Sequence, residues 1–191
     1  MKVIAINGSS RKDGNTAILL RTVLSEISAE GIGTELIQLA GNSLKGCVAC
    51  NKCRENRDRK CVIQSDSFND CFSALVAADG ILLGSPVYFT DVTTSMKALI
   101  ERTGRVAKAN GGLLRRKVGA AVVAVRRAGA VHTFDTLNHL FLYSEMIIPG
   151  SIYWNLGLGS APGQVESDKE GIEIMARLGK NMAWLMKKIN C

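Results

Sequence analysis

The stretch from Val118 to Val125 constrains this chain more than any other. It reads Val-Gly-Ala-Ala-Val-Val-Ala-Val, with no polar side chain, between Lys117 and Arg126. A strand with one wet face alternates apolar and polar residues, and this one does not. Nor is the run long enough to span a bilayer. An uninterrupted apolar strand is buried on both faces, the signature of a parallel sheet covered by helices on each side. Lys117–Val125 is therefore read as a central strand.

The pattern on either side agrees. Val3–Ile6, Thr34–Leu39, Gly80–Ser85 and Met146–Tyr153 read as four further strands. Asn15–Glu30 reads as a helix, with Ala17, Leu20, Leu24 and Ile27 on one face and Gly31 as its stop. Asp66–Ala78, Thr94–Arg105 and Val131–Ser144 read as three more helices. A last helix opens at Ser167, with Glu170 three residues on in a capping-box pattern. Strand and helix thus alternate five times. That order requires right-handed crossovers and an α/β fold: a doubly wound five-stranded parallel sheet with helices on both faces. No repeat or linker composition divides the chain, so residues 1–191 read as one domain with a cysteine-rich loop at about 41–64. Ligands of such sheets bind beyond the carboxyl ends of the strands. The segments after residues 6, 39, 85, 125 and 153 are where chemistry is expected.

Composition narrows the function classes. Hydrophobic residues at 47% and charged residues at 21% exclude a disordered chain. The apolar run after Met1 is too short for a signal peptide, and no segment is long enough for a membrane span. The expectation is a cytoplasmic protein in a reducing compartment. The net charge is +7, yet the basic residues form only short separate runs, Arg115-Arg116-Lys117 and Arg126-Arg127. Aromatic residues make up 5%, too few for a base-stacking platform, so nucleic acid is not expected as a partner. A basic surface, or cations that meet anionic cofactors, accounts for the charge.

Three segments at strand ends carry candidate ligand contacts. Gly8-Ser9-Ser10-Arg11-Lys12-Asp13-Gly14-Asn15-Thr16 joins the first strand to the first helix. It offers hydroxyls, cations and free helix-start amides, the parts of a phosphate cradle. It is neither a Walker loop nor a dinucleotide fingerprint. A plain capped turn, with Asn15 or Asp13 as N-cap, is the alternative, but a cap alone leaves Ser9, Ser10 and Arg11 unexplained. In Ser85-Pro86-Val87-Tyr88-Phe89, two adjacent aromatics leave a strand end. They suit either a flat heteroaromatic ring or a simple cover for the sheet end. In Arg126-Arg127-Ala128-Gly129, Gly129 permits close backbone approach, and the arginines suit either a second anion or a solvated strand end.

Four of the six cysteines fall at Cys47-x2-Cys50-x2-Cys53-x7-Cys61. In a reducing compartment that density favours a metal or redox centre over disulfides. Three cysteines at strict three-residue steps can wrap a compact cubane, closed by a fourth from the same loop. Zinc sites more often split into two separated pairs. Ferredoxin runs end in Cys-Pro, whereas Val62 follows Cys61 here. The spacing leaves a [4Fe–4S] cluster, zinc or free thiols. Cys71 reads as a small buried apolar group and Cys191 as part of a frayed end, neither a ligand. His132 and His139 lack ligand spacing and read as surface residues.

Taken together these motifs resemble the iron–sulfur flavoproteins within the NAD(P)H-dependent FMN reductase group, of flavodoxin-like fold. The carriers are Gly8–Thr16, similar to that group's FMN phosphate loop, and Ser85–Phe89 with Met96-Lys97 and Glu101-Arg102, similar to its isoalloxazine loop and following helix. The third is the cysteine run. Near Gly129, where many members carry paired glycines, only that glycine matches. The resemblance implies FMN held by Ser9, Ser10, Arg11, Asn15, Thr16, Pro86, Val87, Tyr88, Phe89, Arg127 and Gly129. It implies a [4Fe–4S] cluster on Cys47, Cys50, Cys53 and Cys61. It also implies a homodimer or homotetramer in which the cluster of one subunit lies near the flavin of its neighbour. The expected activity is FMN-dependent oxidoreduction or electron transfer, with the cofactors rather than any side chain as catalyst. NAD(P)H or reduced ferredoxin is the expected donor, and a small acceptor such as a quinone, metal ion or oxygen species the sink. The alternatives are a plain FMN or quinone reductase without a cluster, a non-catalytic FMN-binding protein, and a dehydrogenase of a small cyclic acid. The charged stretch Arg54–Lys60 suits a solvated rim, whereas Val48, Ala49 and the residues near Tyr88–Asp91 are expected at a two-fold interface.

Overall fold

The computed structural model describes residues 1–41 and 44–189. The reading of Cys191 lies outside the described residues. Five strands form one sheet in the order β2-β1-β3-β4-β5, every pair parallel. They are β1 (Lys2–Asn7), β2 (Gly33–Gln38), β3 (Gly80–Pro86), β4 (Val118–Val125) and β5 (Leu156–Leu158). The helices are α1 (Asn15–Ala29), α2 (Lys52–Asn56), α3 (Phe68–Ala77), α4 (Thr94–Ala109), α5 (Ala130–Tyr143) and α6 (Lys169–Ile189). This 2-1-3-4-5 order is that of a flavodoxin-like doubly wound sheet, as expected. Among the described residues no helix is long and apolar enough to cross a membrane.

Two cores explain why β4 has no polar residue. Val118, Ala120, Val122 and Ala124 pack with Val3, Ala5 and Leu82 under α1 and α6. Ala121, Val123 and Val125 face the other way, with Ile4, Ile6, Ile81 and Leu83, under α3, α4 and α5. Each fully buried branched side chain contributes roughly 1.5–3 kcal/mol. Small residues let the helices approach. A Cβ on Gly84 would sit 2.6 Å from Leu20 Cδ1, and one on Gly119 would sit 2.7 Å from the Phe141 ring.

Two boundaries differ from the sequence reading, each for a local reason. The fifth strand is Leu156–Leu158, not Met146–Tyr153. Ile147 makes a single bridge to Val118, after which Pro149, which has no N–H to give a ladder, takes the chain out of the sheet. Pairing resumes when Leu156 meets Val123. The cap of α6 is Asp168, not Ser167. Ser167 closes a short 3-10 helix, Gln164–Ser167. Asp168 Oδ1 accepts from Gly171 N at 3.1 Å, and its Oδ2 accepts from Leu158 N at 2.6 Å. One carboxylate therefore starts the last helix and ties it to the last strand. Asp168→Ala should lower the unfolding free energy by about 1–2 kcal/mol, while Ser167→Ala should change it by under about 0.5 kcal/mol. Urea denaturation of the two variants measures the difference.

Candidate functional site

β1 and β3 are neighbours whose connections leave in opposite directions, so the crevice at their carboxyl ends is the topological switch point. The loop after β1 is folded by its own side chains. Buried Asn7 accepts from Ser9 N at 3.0 Å and donates to Lys12 O at 3.3 Å. Ser9 Oγ accepts from Arg11 N at 3.1 Å. Neither expected residue caps α1. Its N-cap is Gly14, without a side-chain hydrogen bond. Asp13 pairs instead with Arg21 on the surface. Asn15 donates to Gly159 O and Ala161 O at 3.0 and 2.9 Å, and accepts from Val165 N at 3.4 Å. It anchors the segment after β5 to the helix start. The first amides of α1 thus lack a capping oxygen, a site that favours an anion. Earlier in the same loop Gly8, Ser9 and Ser10 line a cavity of about 210 Å³ with Gly41 and Ser95. Arg11 is exposed, and Thr16 is buried in the first turn.

Thr93, which the sequence reading passed over, joins the parts of this crevice. Its hydroxyl donates to Gly8 O at 2.7 Å and accepts from Met96 N at 3.2 Å, and its N–H donates to Ser85 Oγ at 3.1 Å. β1, β3 and α4 meet on one buried residue. The visible signal was a hydroxyl residue just before a helical pattern.

After β3, Tyr88 and Asp91 exchange backbone hydrogen bonds of 2.8 and 3.0 Å around Phe89 and Thr90. Both central residues have positive φ, 48° and 63°. That is a primed turn, which normally takes Asn or Gly. A bulky or β-branched residue there costs of order 1–3 kcal/mol. Phe89 is fully exposed and Tyr88 about half so. Gly129 (φ 88°) sits against this turn: a Cβ there would lie 3.0 Å from Val87 Cγ1 and 3.1 Å from Thr90 Cα. Thr133 Oγ1 adds a hydrogen bond to Thr90 O at 3.2 Å. Burial alone would raise the Asp91 carboxyl, but the Thr136 hydroxyl, the Val92 amide and Lys97 hold it below the usual carboxylate value. Pro86 stands at the strand end opposite Ala124, and Arg127 is exposed. The loops after β1, β3 and β4 therefore border one crevice, which on the side of Phe89 lies open.

The cysteines lie elsewhere. Their segment leaves the carboxyl end of β2 but docks on the second half of α4. Cys47, Cys50, Cys53 and Cys61 line one cavity with Val106, Ile63, Arg102 and Arg105. Cys71 is outside it, buried at 4% exposure, where burial pushes its thiol up. Among the described residues, no three metal-ligating side chains converge as they would on a single ion. The thiols line a cavity of about 20 Å³ and do not meet at one point. His132 and His139 are exposed, as expected.

Arg102 fixes this segment. Its side chain is 1% exposed and its partner Asp66 3%, with an N–O distance of 2.6 Å. Nη1 also donates to Lys45 O at 3.2 Å and Nη2 to Ile63 O at 3.0 Å. The guanidinium lies 4.0 Å from the centre of the Phe68 ring. Lys45 precedes Cys47 by two residues and Ile63 follows Cys61 by two, so one side chain grips both ends of the cysteine run. Glu101 accepts from Cys47 N at 3.3 Å, and Arg105 donates to Asn51 Oδ1 at 2.9 Å. Asn69 holds Cys61 by both backbone groups, at 2.8 and 3.0 Å. Glu101 and Arg102, grouped by sequence with the aromatic loop, thus serve the cysteines. The two sites are joined by α4: Ser95 and Arg102 are about 10 Å apart along the axis at 1.5 Å per residue.

A family model described as NADPH-dependent FMN reductase matches residues 1–161. An iron-sulfur flavoprotein of Methanocaldococcus jannaschii is 41% identical, covering 99% of each chain. One from Methanosarcina thermophila is 27% identical over 99% of this chain and 97% of its own. Among solved structures, RosB with a bound 8-demethyl-8-formylriboflavin-5'-phosphate intermediate superposes with TM-score 0.78 at 18% identity, covering 100% of this chain and 80% of RosB. A flavodoxin from the domain Archaea gives TM-score 0.64 at 16% identity, over 98% and 99%. At such identities the structures establish the flavodoxin-like fold.

The buried ion pair has a pH signature. Burial alone would raise the Asp66 carboxyl. Hydrogen bonds from Arg102 and from the amides of Lys45 and Phe68 outweigh it and bring the group below its ordinary 3.8. A lowered folded-state value adds stability above the unfolded-state value, and that stability is lost as pH falls through the folded one. Wild-type protein should therefore be more stable than Asp66→Asn at pH 6, and the gap should narrow as pH falls below about 4. Urea midpoints across that range test it; a constant gap would contradict the assignment.

Proposed function

The chain belongs to the NADPH-dependent FMN reductase family, and from that premise we propose an FMN-dependent oxidoreductase whose flavin is coupled to a [4Fe–4S] cluster. The observation that carries the cluster half is the single cavity lined by Cys47, Cys50, Cys53 and Cys61. Four free thiols match such a cluster in donor kind and number. The uncapped start of α1 beside Ser9 and Ser10 supports a phosphate, and the iron-sulfur flavoprotein names of the relatives support both groups. Residues 1–191 act as one domain, with 41–64 as the cluster-bearing insertion.

In this reading Ser9, Ser10, Arg11 and Thr16 hold the FMN phosphate, and Asn15 holds the segment after β5 against that loop. Pro86, Val87, Tyr88 and Phe89 present a face to the isoalloxazine. Gly129 and Arg127 border it from β4. When bound, FMN exchanges two electrons with a nicotinamide and a cluster carries them singly. The protein's part is to bind, orient and exclude water. The exposed Phe89 turn and exposed Val48 suit cover by a second copy, so the working unit is a homodimer or homotetramer with these segments at a two-fold interface. NAD(P)H or a reduced ferredoxin supplies electrons, and a small acceptor receives them. The family description favours a second reading, a plain NAD(P)H-dependent FMN or quinone reductase with free thiols.

Anaerobically purified protein separates the two. The cluster reading expects acid-labile sulfide and iron in equal amounts, lost in Ala variants of Cys47, Cys50, Cys53 or Cys61 and retained in Cys71→Ala. Protein without sulfide would leave the plain reductase. For the flavin, Arg11→Ala should cost roughly 1.5–3 kcal/mol of binding, about ten- to a hundredfold in FMN affinity by titration of the apoprotein. Unchanged affinity would remove Arg11 from the phosphate site. Light scattering at micromolar concentration should show no monomer of 20.5 kDa as the sole species.

A further inference from the structure

Arg102 makes three hydrogen bonds through Nη1 and Nη2, yet its Nε–H has no acceptor among the described residues, although the atom is buried. A buried unmet donor costs about 1–3 kcal/mol, and native structures rarely keep one without a reason. The side chain that bears it is 1% exposed and lines the cavity of the four cysteines. The loop contacts are complete without Nε, so anchoring the segment does not account for it. Other charged residues that meet the same segment are Arg105 and Glu101 on α4, Asp66, and Lys45. Of these, Asp66 alone is paired with Arg102 and buried with it.

We propose that Arg102 is a positioning residue for the four-cysteine centre: its Nε–H is kept for a sulfur of the bound cluster, and its buried charge sets that cluster's reduction potential. This rests on the cluster reading above. A four-thiolate cubane gains negative charge on reduction. A fixed cation and an N–H donor beside it favour the reduced form and raise the potential. Asp66 works against Arg102 in this respect, because its carboxylate cancels part of the field. An anchoring role treats the two residues alike, since losing either loosens the same segment. A potential-setting role gives them opposite signs.

The test is a redox titration of anaerobic protein, followed by the visible and electron paramagnetic resonance signals of the cluster. Arg102→Lys keeps the charge but not the Nε–H and should lower the midpoint. Arg102→Met removes both and should lower it further, by a tenfold or greater shift of the reduction equilibrium, about 59 mV for a one-electron couple. Asp66→Asn should raise it. Iron and sulfide content is measured on every sample. If Arg102→Met keeps no cluster, Arg102→Lys and Asp66→Asn decide. Midpoints that stay at the wild-type value, or that move in the same direction in both, overturn the inference and leave the cluster reading intact. Wild-type protein without iron and sulfide overturns both.

Discussion

A guanidinium and a carboxylate, both sealed from water, hold the only pair of charges that the described core contains, and the cysteine segment hangs from it. Taking two ions out of water costs several kcal/mol each, and their attraction repays this only with good geometry and further hydrogen bonds. Arg102 and Asp66 meet both conditions. The carboxylate also accepts from the Lys45 and Phe68 amides, and the guanidinium reaches two carbonyls. Such a pair adds little net stability compared with an apolar packing of the same volume. What it supplies is position. Lys45 and Ile63 bracket the cysteines, and both are fixed to one side chain of α4.

The segment between them is held mainly by side-chain hydrogen bonds from α3 and α4. α2 buries none of its residues. Ala49, Asn51, Arg57 and Arg59 all have positive φ. For residues other than Asn, that conformation costs of order 1–2 kcal/mol each. The turn at Phe89 and Thr90 has the same character. Among the described residues, the non-glycine positions with positive φ fall mostly in the cysteine segment and the aromatic turn; Arg116 and Glu145 are the others, and the strands themselves have none. Backbone strain that persists where local packing is thin marks places shaped for something other than stability.

Both places are wired to one helix. Thr93 caps the start of α4 and binds β1 and β3 together. Two turns on, Glu101, Arg102 and Arg105 hold the cysteine run. A rigid helix fixes the separation of the two sites more firmly than any loop. The rule that ligands bind at the carboxyl ends of the strands found the crevice at β1 and β3. It also selected the segment after residue 39, which carries the cysteines, but not the place of their cavity, because that segment docks on the second half of α4.

The sequence by itself determined the sheet, its two-sided burial and the kind of donor atoms available. Those properties are periodic or local: an apolar run that never alternates, a glycine after a helix, cysteines three residues apart. Even so, Pro149 displaced β5 past the stretch whose composition suggested it, and Asp168 took the cap from Ser167 because it alone also reaches Leu158. Only the tertiary structure decided that Asn15 holds the segment after β5, that Thr93 is the joint of the crevice, and that Arg102 belongs to the cysteines. Each of those roles rests on a contact between residues 36 to 150 positions apart. No periodicity in the chain records such a contact. It exists only once β1, β3 and α4 have packed, and then a single buried side chain with fixed hydrogen-bonding geometry selects its partners.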